Sequence, residues 1–257
     1  MQKFGIDISK WQKGFNFDKA INEGVEFVIL RAAYSTNKDT SFDTFYKKCK
    51  EKGLPVGAYH YSMAKTVAGA KKEAEVMIEI LKGKQFEYPI YIDVEDKVQK
   101  ALGKDTLTSI IQTYCNTLEK AGYYVGIYST YLFLRDYTHI DKLDKYDKWV
   151  AQWATKCTSK KPFGMWQFGG ETNKLRSNKV ADVTCDQDYC YKDYPAIIKN
   201  SGLNGYGKAV KPSTKTINEL AREVIAGKWG TGQNRKDRLT KAGYDYKAVQ
   251  KRVNEII

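Results

Sequence analysis

The chain has 257 residues, room for one barrel-sized domain and at most a small module beside it. Apolar residues make up 42% and aromatic residues 13%, which excludes a disordered or low-complexity protein. The formal net charge of +13 points to a polyanionic partner, but the basic residues are spread along the chain without interleaved aromatics, which argues against a nucleic-acid face.

Met1-Gln2-Lys3 runs straight into Phe4-Gly5-Ile6-Asp7, which reads as a strand rather than a secretory leader. Synthesis in the cytosol is therefore expected. No window approaches about 18 consecutive apolar residues, so no stable membrane insertion is expected. Strands are expected over 3–8, 27–32, 55–61, 90–94, 124–128, 149–152, 164–168 and 183–187, each short, apolar and rich in β-branched or aromatic residues. Helical spacing appears over 17–23, 40–52, 68–82 and 106–121. The last of these places Leu107, Ile110, Ile111, Tyr114, Leu118 and Ala121 on one stripe. Little room for helices separates the last three strands. The expected fold is therefore α/β: an irregular β/α-barrel of the TIM type with its late helices missing. A doubly wound sheet would want a Gly-rich phosphate loop after the first strand, and none follows it.

Residues 201–216 are rich in Gly, Ser, Thr and Lys and read as a linker between a barrel at 1–200 and a module at 217–257. The module reads as three short helices. Ile217, Leu220, Ala221, Val224 and Ile225 form the first stripe, and Tyr246, Val249, Val253 and Ile256 the last. About forty residues is near the lower limit for independent folding, so docking or self-association of this module is expected.

Five cysteines, an odd number, argue against a disulfide framework and read as buried thiols. Only two histidines are present, so a three-His metal site is impossible; no metal and no cofactor are expected. His60, inside an aromatic strand, reads as a hydrogen-bonded core histidine.

Acids recur at the expected strand ends. Asp7 ends the first strand, Asp93 and Glu95 end the fourth, and Asp186 and Asp188 end the last. In a β/α-barrel the C-terminal rim of the strands carries the chemistry. Asp93 and Glu95 are two residues apart and point the same way from an extended strand. Two close carboxylates raise the proton affinity of one of them. Glycoside cleavage needs this pairing of a proton donor with an ionised partner. Tyr59, Tyr61, Tyr128, Trp153 and Trp166 fall near the same ends and are candidate stacking platforms for sugar rings.

Phe4-Gly5-Ile6-Asp7-Ile8-Ser9-Lys10-Trp11-Gln12 resembles the opening of glycoside hydrolase family 25 lysozymes. Val56–Tyr61, Ile92–Glu95, Val125–Tyr128, Trp149–Trp153 and Met165–Phe168 resemble that family too, in its own order. The resemblance implies cleavage of the β-1,4 bond between N-acetylmuramic acid and N-acetylglucosamine. It implies Glu95 as general acid, with Asp93 either stabilising the oxocarbenium-like state or orienting the substrate's acetamido group. Asp7 matches the first-strand acid. Asp186 matches the last acid of the family, while Asp188 stands where Asn is usual, so either could face the pocket. The segment from Glu219, with Gly243–Tyr246, resembles a cell-wall-binding repeat of some phage lysozymes. It implies peptidoglycan recognition, with Arg222, Trp229 and Arg238 as candidate contacts and Trp229 reading first as module core. The expected whole is a phage-type endolysin lysing Gram-positive bacteria, released from the host cytoplasm by a holin. The alternatives are a bacterial autolysin and a non-catalytic wall-binding protein, the latter disfavoured by the complete acid set.

Overall fold

The computed structural model describes residues 2–207, 215–242 and 244–257. They fall into two compact units divided between Gly207 and Lys208.

The first unit is built on eight strands: β1 (Lys3–Ile8), β2 (Phe27–Tyr34), β3 (Val56–Tyr61), β4 (Ile90–Asp93), β5 (Val125–Thr130), β6 (Asp147–Ala151), β7 (Met165–Gly169) and β8 (Asp186–Cys190). Each pairs with the next, and β1 pairs with both β2 and β8, so the sheet closes into a barrel. Neighbours from β1 to β7 are parallel, whereas β8 runs antiparallel to both β7 and β1. Helices α1 (Phe17–Asn22), α2 (Phe42–Glu51), α3 (Val67–Leu81), α4 (Lys97–Lys100) and α5 (Lys104–Lys120) occupy the early crossovers. After α6 (Tyr131–Tyr137), loops alone and a short hairpin join β6 to β7 and β7 to β8, as the spacing had suggested. The sequence reading passed over α6 and over α7 (Tyr194–Ser201), which are too short to establish a helical period.

Two sequence expectations are corrected. The last strand was placed at 183–187, ending on the acids, but β8 covers Asp186–Cys190 and begins on Asp186. The antiparallel direction compensates, because the start of β8 lies on the rim where the other strands end. The linker was expected from residue 201, yet residues 201–207 belong to the barrel. Residues 208–214 of that linker lie outside the described residues.

Asn204 is the reason the chain stays on the barrel as far as it does. It is fully buried; its amide donates to the carbonyls of Phe86 and Tyr88 at 3.3 and 2.9 Å, and its Oδ1 accepts from Tyr124 N at 2.7 Å. Asn204→Ala leaves three buried backbone groups without that partner, and urea unfolding should show a loss of about 3 kcal/mol. A loss below about 1 kcal/mol would mean that water replaces the tie.

Side chains alternate between the barrel lumen and the helix-facing layer. Ile6, Val28, Leu30, Ile90 and Ile92 face the helices. The lower lumen is filled by Phe27, Tyr88, Tyr91, Met165 and Tyr194, and its upper end is polar. Gly126 makes room for this filling, since a Cβ there would lie 2.4 Å from the Tyr91 ring. Tyr194 from α7 packs against Tyr88 and Tyr124 at ring distances of 5.7 and 5.9 Å and closes the bottom.

The second unit packs α8 (Ile217–Ile225), α9 (Gly232–Lys241) and α10 (Tyr246–Ile256) around Leu220, Ala221, Val224, Leu239, Val249 and Val253. Thr216 and Glu219 form a capping box at the start of α8. Ile217, Ile225 and Ile256, counted with the apolar stripes, are instead exposed.

Candidate active site

A pit of about 210 Å³ opens at the upper rim, and every barrel strand or the residues just after it supplies a side chain to its wall. Asp7 comes from β1, Arg31 from β2, Tyr59 and Tyr61 from β3, and Asp93 and Glu95 from the end of β4. Tyr128, Trp149, Gln167 and Asp186 come from β5 to β8 in turn. The antiparallel register sets Asp7 directly opposite Asp186. Gly170 lets the loop after β7 approach closely, since a Cβ there would fall 1.9 Å from Asp186 Oδ1 and 2.6 Å from the Trp153 ring.

Gln167 organises one wall. Its Oε1 accepts from Tyr128 OH at 2.9 Å and from Trp153 Nε1 at 3.1 Å, and its Nε2 donates to Asp7 Oδ2 at 2.9 Å. Arg31 is held by Asp39 through Nε at 2.9 Å and a terminal nitrogen at 2.8 Å. Tyr61 donates to Asp96 at 3.0 Å and stacks on Tyr34 at 5.2 Å. Trp11 stands at the mouth, 74% exposed, an open platform for a sugar ring.

The acids hold protons more tightly than free carboxylic acids do. Burial, then the charges of Asp186 and Asp188, push Asp7 well up. Burial, then the Glu95 charge, push Asp93 well up, while Arg31 favours its ionised form. The pit wall beside its carboxyl group and then the neighbouring Asp96 charge raise Glu95, although its side chain keeps contact with solvent at the mouth. Asp186 is pushed up to about 6, by burial first and then by Glu95. The Glu95 charge thus acts on Asp93 from two residues along the strand end. Asp93 is buried, whereas the exposed Glu95 stands at the mouth where a glycosidic oxygen can reach it.

The structure thus brings together Asp7, Asp93, Glu95, Asp186, Tyr59, Tyr61 and Tyr128. It separates Asp186 from Asp188: the former lines the pit, while the latter is fully buried and accepts from Trp149 Nε1 at 2.8 Å. Trp153 lies at the rim, 39% exposed, and reaches the site through Gln167. Trp166 is a correction. It lies on the outer face, packed on Phe168 and Tyr189, with Nε1 donating to the Gln152 carbonyl at 2.8 Å. Adjacent strand residues face opposite ways, so Gln167, not Trp166, points inward. Arg31, Trp149, Gln167 and Trp11 were not singled out from the sequence. A Gln amid the apolar run of β7 was the available signal for one of them.

His60 is buried, donating through Nε2 to the Ser35 carbonyl at 2.7 Å and accepting at Nδ1 from Tyr114 OH at 2.9 Å, the core role its sequence context suggested. All five cysteines are free, and four are buried. Among the described residues no cluster of His, Cys, Asp and Glu could hold a metal ion. In the second unit Trp229 is half-buried, donates to Glu223 at 3.0 Å and meets the Tyr244 ring edge-on at 5.9 Å. Arg222 and Arg238 are exposed, with the Arg238 guanidinium 5.9 Å from the Trp229 ring.

A barrel whose rim gathers four proton-affine acids and several tyrosines around a small open pit defines a carboxylate-dependent glycosidase. The chain belongs to the glycosyl hydrolases family 25, whose model matches residues 6–175; the CW_7 repeat matches residues 218–257. It is 28% identical over 260 residues to the lysozyme of Streptococcus phage Cp-7, covering 93% of this chain and 69% of that protein. It is 28% identical over 150 residues to the autolytic lysozyme of Clostridium acetobutylicum, covering 58% of this chain and 44% of that protein. The modular autolysin LytC of Streptococcus pneumoniae, solved with a synthetic peptidoglycan ligand, superposes with a TM-score of 0.66 at 28% identity. That match covers 74% of this chain and 47% of LytC. This chain therefore spans less than half the length of the last two relatives. The bacterial lysozyme of Streptomyces coelicolor shares the fold, with a TM-score of 0.64 over 80% of this chain and 98% of that one at 19% identity.

Proposed function

We propose that this chain is a peptidoglycan-hydrolysing muramidase of the endolysin type, cutting the β-1,4 bond between N-acetylmuramic acid and N-acetylglucosamine. The observation that carries this reading is the convergence of Asp7, Asp93, Glu95 and Asp186 in one pit of a family 25 barrel. Glu95, protonated at the mouth, gives its proton to the glycosidic oxygen as the bond breaks. Asp93, below it, meets the positive charge that develops at the anomeric carbon or orients the acetamido group that attacks it. Tyr59, Tyr61, Tyr128 and the exposed Trp11 hold the sugars.

The phage reading is favoured over the autolysin reading by one observation. Likeness to the Cp-7 phage lysozyme runs through 93% of this chain, whereas likeness to the autolytic lysozyme covers 58%. We extend the reading to cytoplasmic synthesis and access to the wall through a holin lesion. Among the described residues no helix is long and apolar enough to cross a membrane. The repeat at 218–257 anchors the enzyme on Gram-positive peptidoglycan, with Arg222 and Arg238 as exposed cations for peptide carboxylates. Self-association belongs to this reading because Ile217, Ile225 and Ile256 leave apolar surface exposed on the module. A purely monomeric sedimentation profile would remove that part. Nucleic acid has no place in it, and salt-sensitive DNA retention would argue otherwise.

The test is loss of turbidity of Gram-positive walls, with mass spectrometry of the fragments. Reducing ends on N-acetylmuramic acid are expected. Reducing ends on N-acetylglucosamine, or freed peptides alone, would place the cut elsewhere. A chain ending at Gly207 should keep its rate on short soluble glycans and lose most of its sedimentation with walls. Undiminished sedimentation would remove the anchoring role.

A further inference from the structure

Asp93 and Glu95 stand on either side of Val94, which has no exposed surface. β4 ends at Asp93, so beyond that point the chain is held by other ties than the strand itself. Two backbone bonds carry the ladder one step further. Ser62, just after β3, donates its N–H to Asp93 O at 3.0 Å, and Val94 donates its own to Tyr128 O at 3.0 Å. The Val94 carbonyl is then taken by a side chain: Ser129 Oγ donates to it at 2.6 Å. Ser129 lies on β5, fully buried, next to Tyr128. Tyr128 lines the pit, so Ser129 reaches Val94 from the opposite face of the sheet. The next anchor along the chain is Asp96, which caps α4 through Val98 N at 2.9 Å and accepts from Tyr61 OH at 3.0 Å. Glu95 sits between these two anchors. Among the described residues no hydrogen bond or ion pair holds its carboxyl group.

We propose that Ser129 is a positioning residue for Glu95: its hydroxyl clamps the Val94 carbonyl and so aims the side chain that follows. One rigid plane holds both the Val94 carbonyl and the backbone nitrogen of Glu95. Fixing the carbonyl therefore fixes the direction in which Glu95 leaves the chain. The clamp matters here because the Glu95 carboxyl group has no partner of its own to correct its aim. Without the hydroxyl a buried carbonyl loses its donor, and the peptide gains by turning toward another. Asp93 lies before the clamp and keeps its tie to Ser62, whose own hydroxyl donates to Glu73 at 2.6 Å. Loss of Ser129 should thus disturb Glu95 more than Asp93.

The inference rests on the reading of Glu95 as proton donor, and its test separates the two. On soluble glycans released from walls, Ser129→Ala should lose about tenfold to a hundredfold in kcat with KM little changed, since a shift of about 1 Å in a reacting group can cost that much. Ser129→Thr, which keeps a hydroxyl, should stay within about threefold of wild type. The sharper comparison uses a dinitrophenyl glycoside of the same saccharide, whose leaving group departs without needing a proton. On that substrate Ser129→Ala should come within about threefold of wild type, because the proton donor is no longer called on. Equal losses on both substrates would overturn the proposal, because general damage to the barrel lowers both alike. Undiminished kcat on glycans would overturn it too. Glu95→Gln, measured in parallel, reports on the donor itself. If that variant is inactive on glycans while Ser129→Ala is fully active, the donor stands and the clamp falls. If Glu95→Gln is fully active, Glu95 is not the donor and the proposal falls with that reading. Crystal structures of wild type and Ser129→Ala add a readout independent of turnover. The Val94–Glu95 peptide should turn in the variant and the Glu95 carboxyl group should leave its wild-type place. An unmoved peptide would overturn the clamp even if the chain cleaved no glycan.

Discussion

Glu95→Gln is expected to leave the barrel folded and to lower wall hydrolysis about 10²–10⁴-fold, the range for removal of a general acid. The side chain is exposed at the mouth, and the amide is nearly isosteric, so no packing is lost. Circular dichroism should superpose on wild type while release of new reducing ends disappears. Unchanged release would take the proton donor elsewhere. The same residue gives a pH prediction whose sign follows from its surroundings. Glu95 acts in its protonated form, and the pit wall beside its carboxyl group and the Asp96 charge raise its proton affinity. Hydrolysis should therefore fall on the alkaline side as that proton is lost. Asp96→Asn removes the neighbouring charge while an amide oxygen can still cap α4, where Asp96 now accepts from Val98 N at 2.9 Å. The alkaline limb should then move toward lower pH. A limb that stays in place would mean that another group sets it.

Trp149→Ala carries the largest expected cost in stability, about 3–5 kcal/mol. Trp149 is 1% exposed, and its ring meets those of Tyr128, Tyr91 and Tyr59 at 4.4, 5.1 and 5.9 Å. Truncation would open a cavity under the pit and strip Asp188 of its indole donor. For a unit of this size the melting midpoint should drop by roughly 6–20 °C. Trp149→Phe keeps most of the volume and loses only the N–H, so its drop should be clearly smaller. Equal drops for the two variants would show that the hydrogen bond, rather than the packing, dominates.

Stability against pH below neutrality is a contest between groups. Asp186 binds its proton at about 6 when folded and near 4 when unfolded, so its contribution is full at low pH and is lost as pH rises through about 6. His60, pushed down to about 4 by burial, has the opposite sign: its contribution is lost as pH falls below about 6.5. These two nearly cancel over the same interval. Asp7, Asp93 and Glu95 are all raised, which tips the balance. The melting midpoint should rise on going from pH 7 to pH 5, and a steady fall over that interval would contradict the buried acids.

Much of this protein was legible in the sequence by itself. The first seven strands were readable because their apolar runs are bounded by turn residues, and the acids at Asp7, Asp93 and Glu95 could be placed because they follow those runs. The ordered segments from Phe4 to Phe168 carried the family, and the texture change after residue 200 marked the second unit. Only the tertiary structure decided the rest. β8 is antiparallel and starts at Asp186, so Asp186 faces the pit and Asp188 lies buried against Trp149. Trp166 faces outward and Gln167 inward, although both sit in the same short run. Arg31 belongs to the wall of the pit, where Asp39 holds it. Local sequence conveys alternation, which says that neighbours face opposite ways. Which of the two faces looks into the lumen depends on how eight distant segments close on one another, and no local pattern contains that closure.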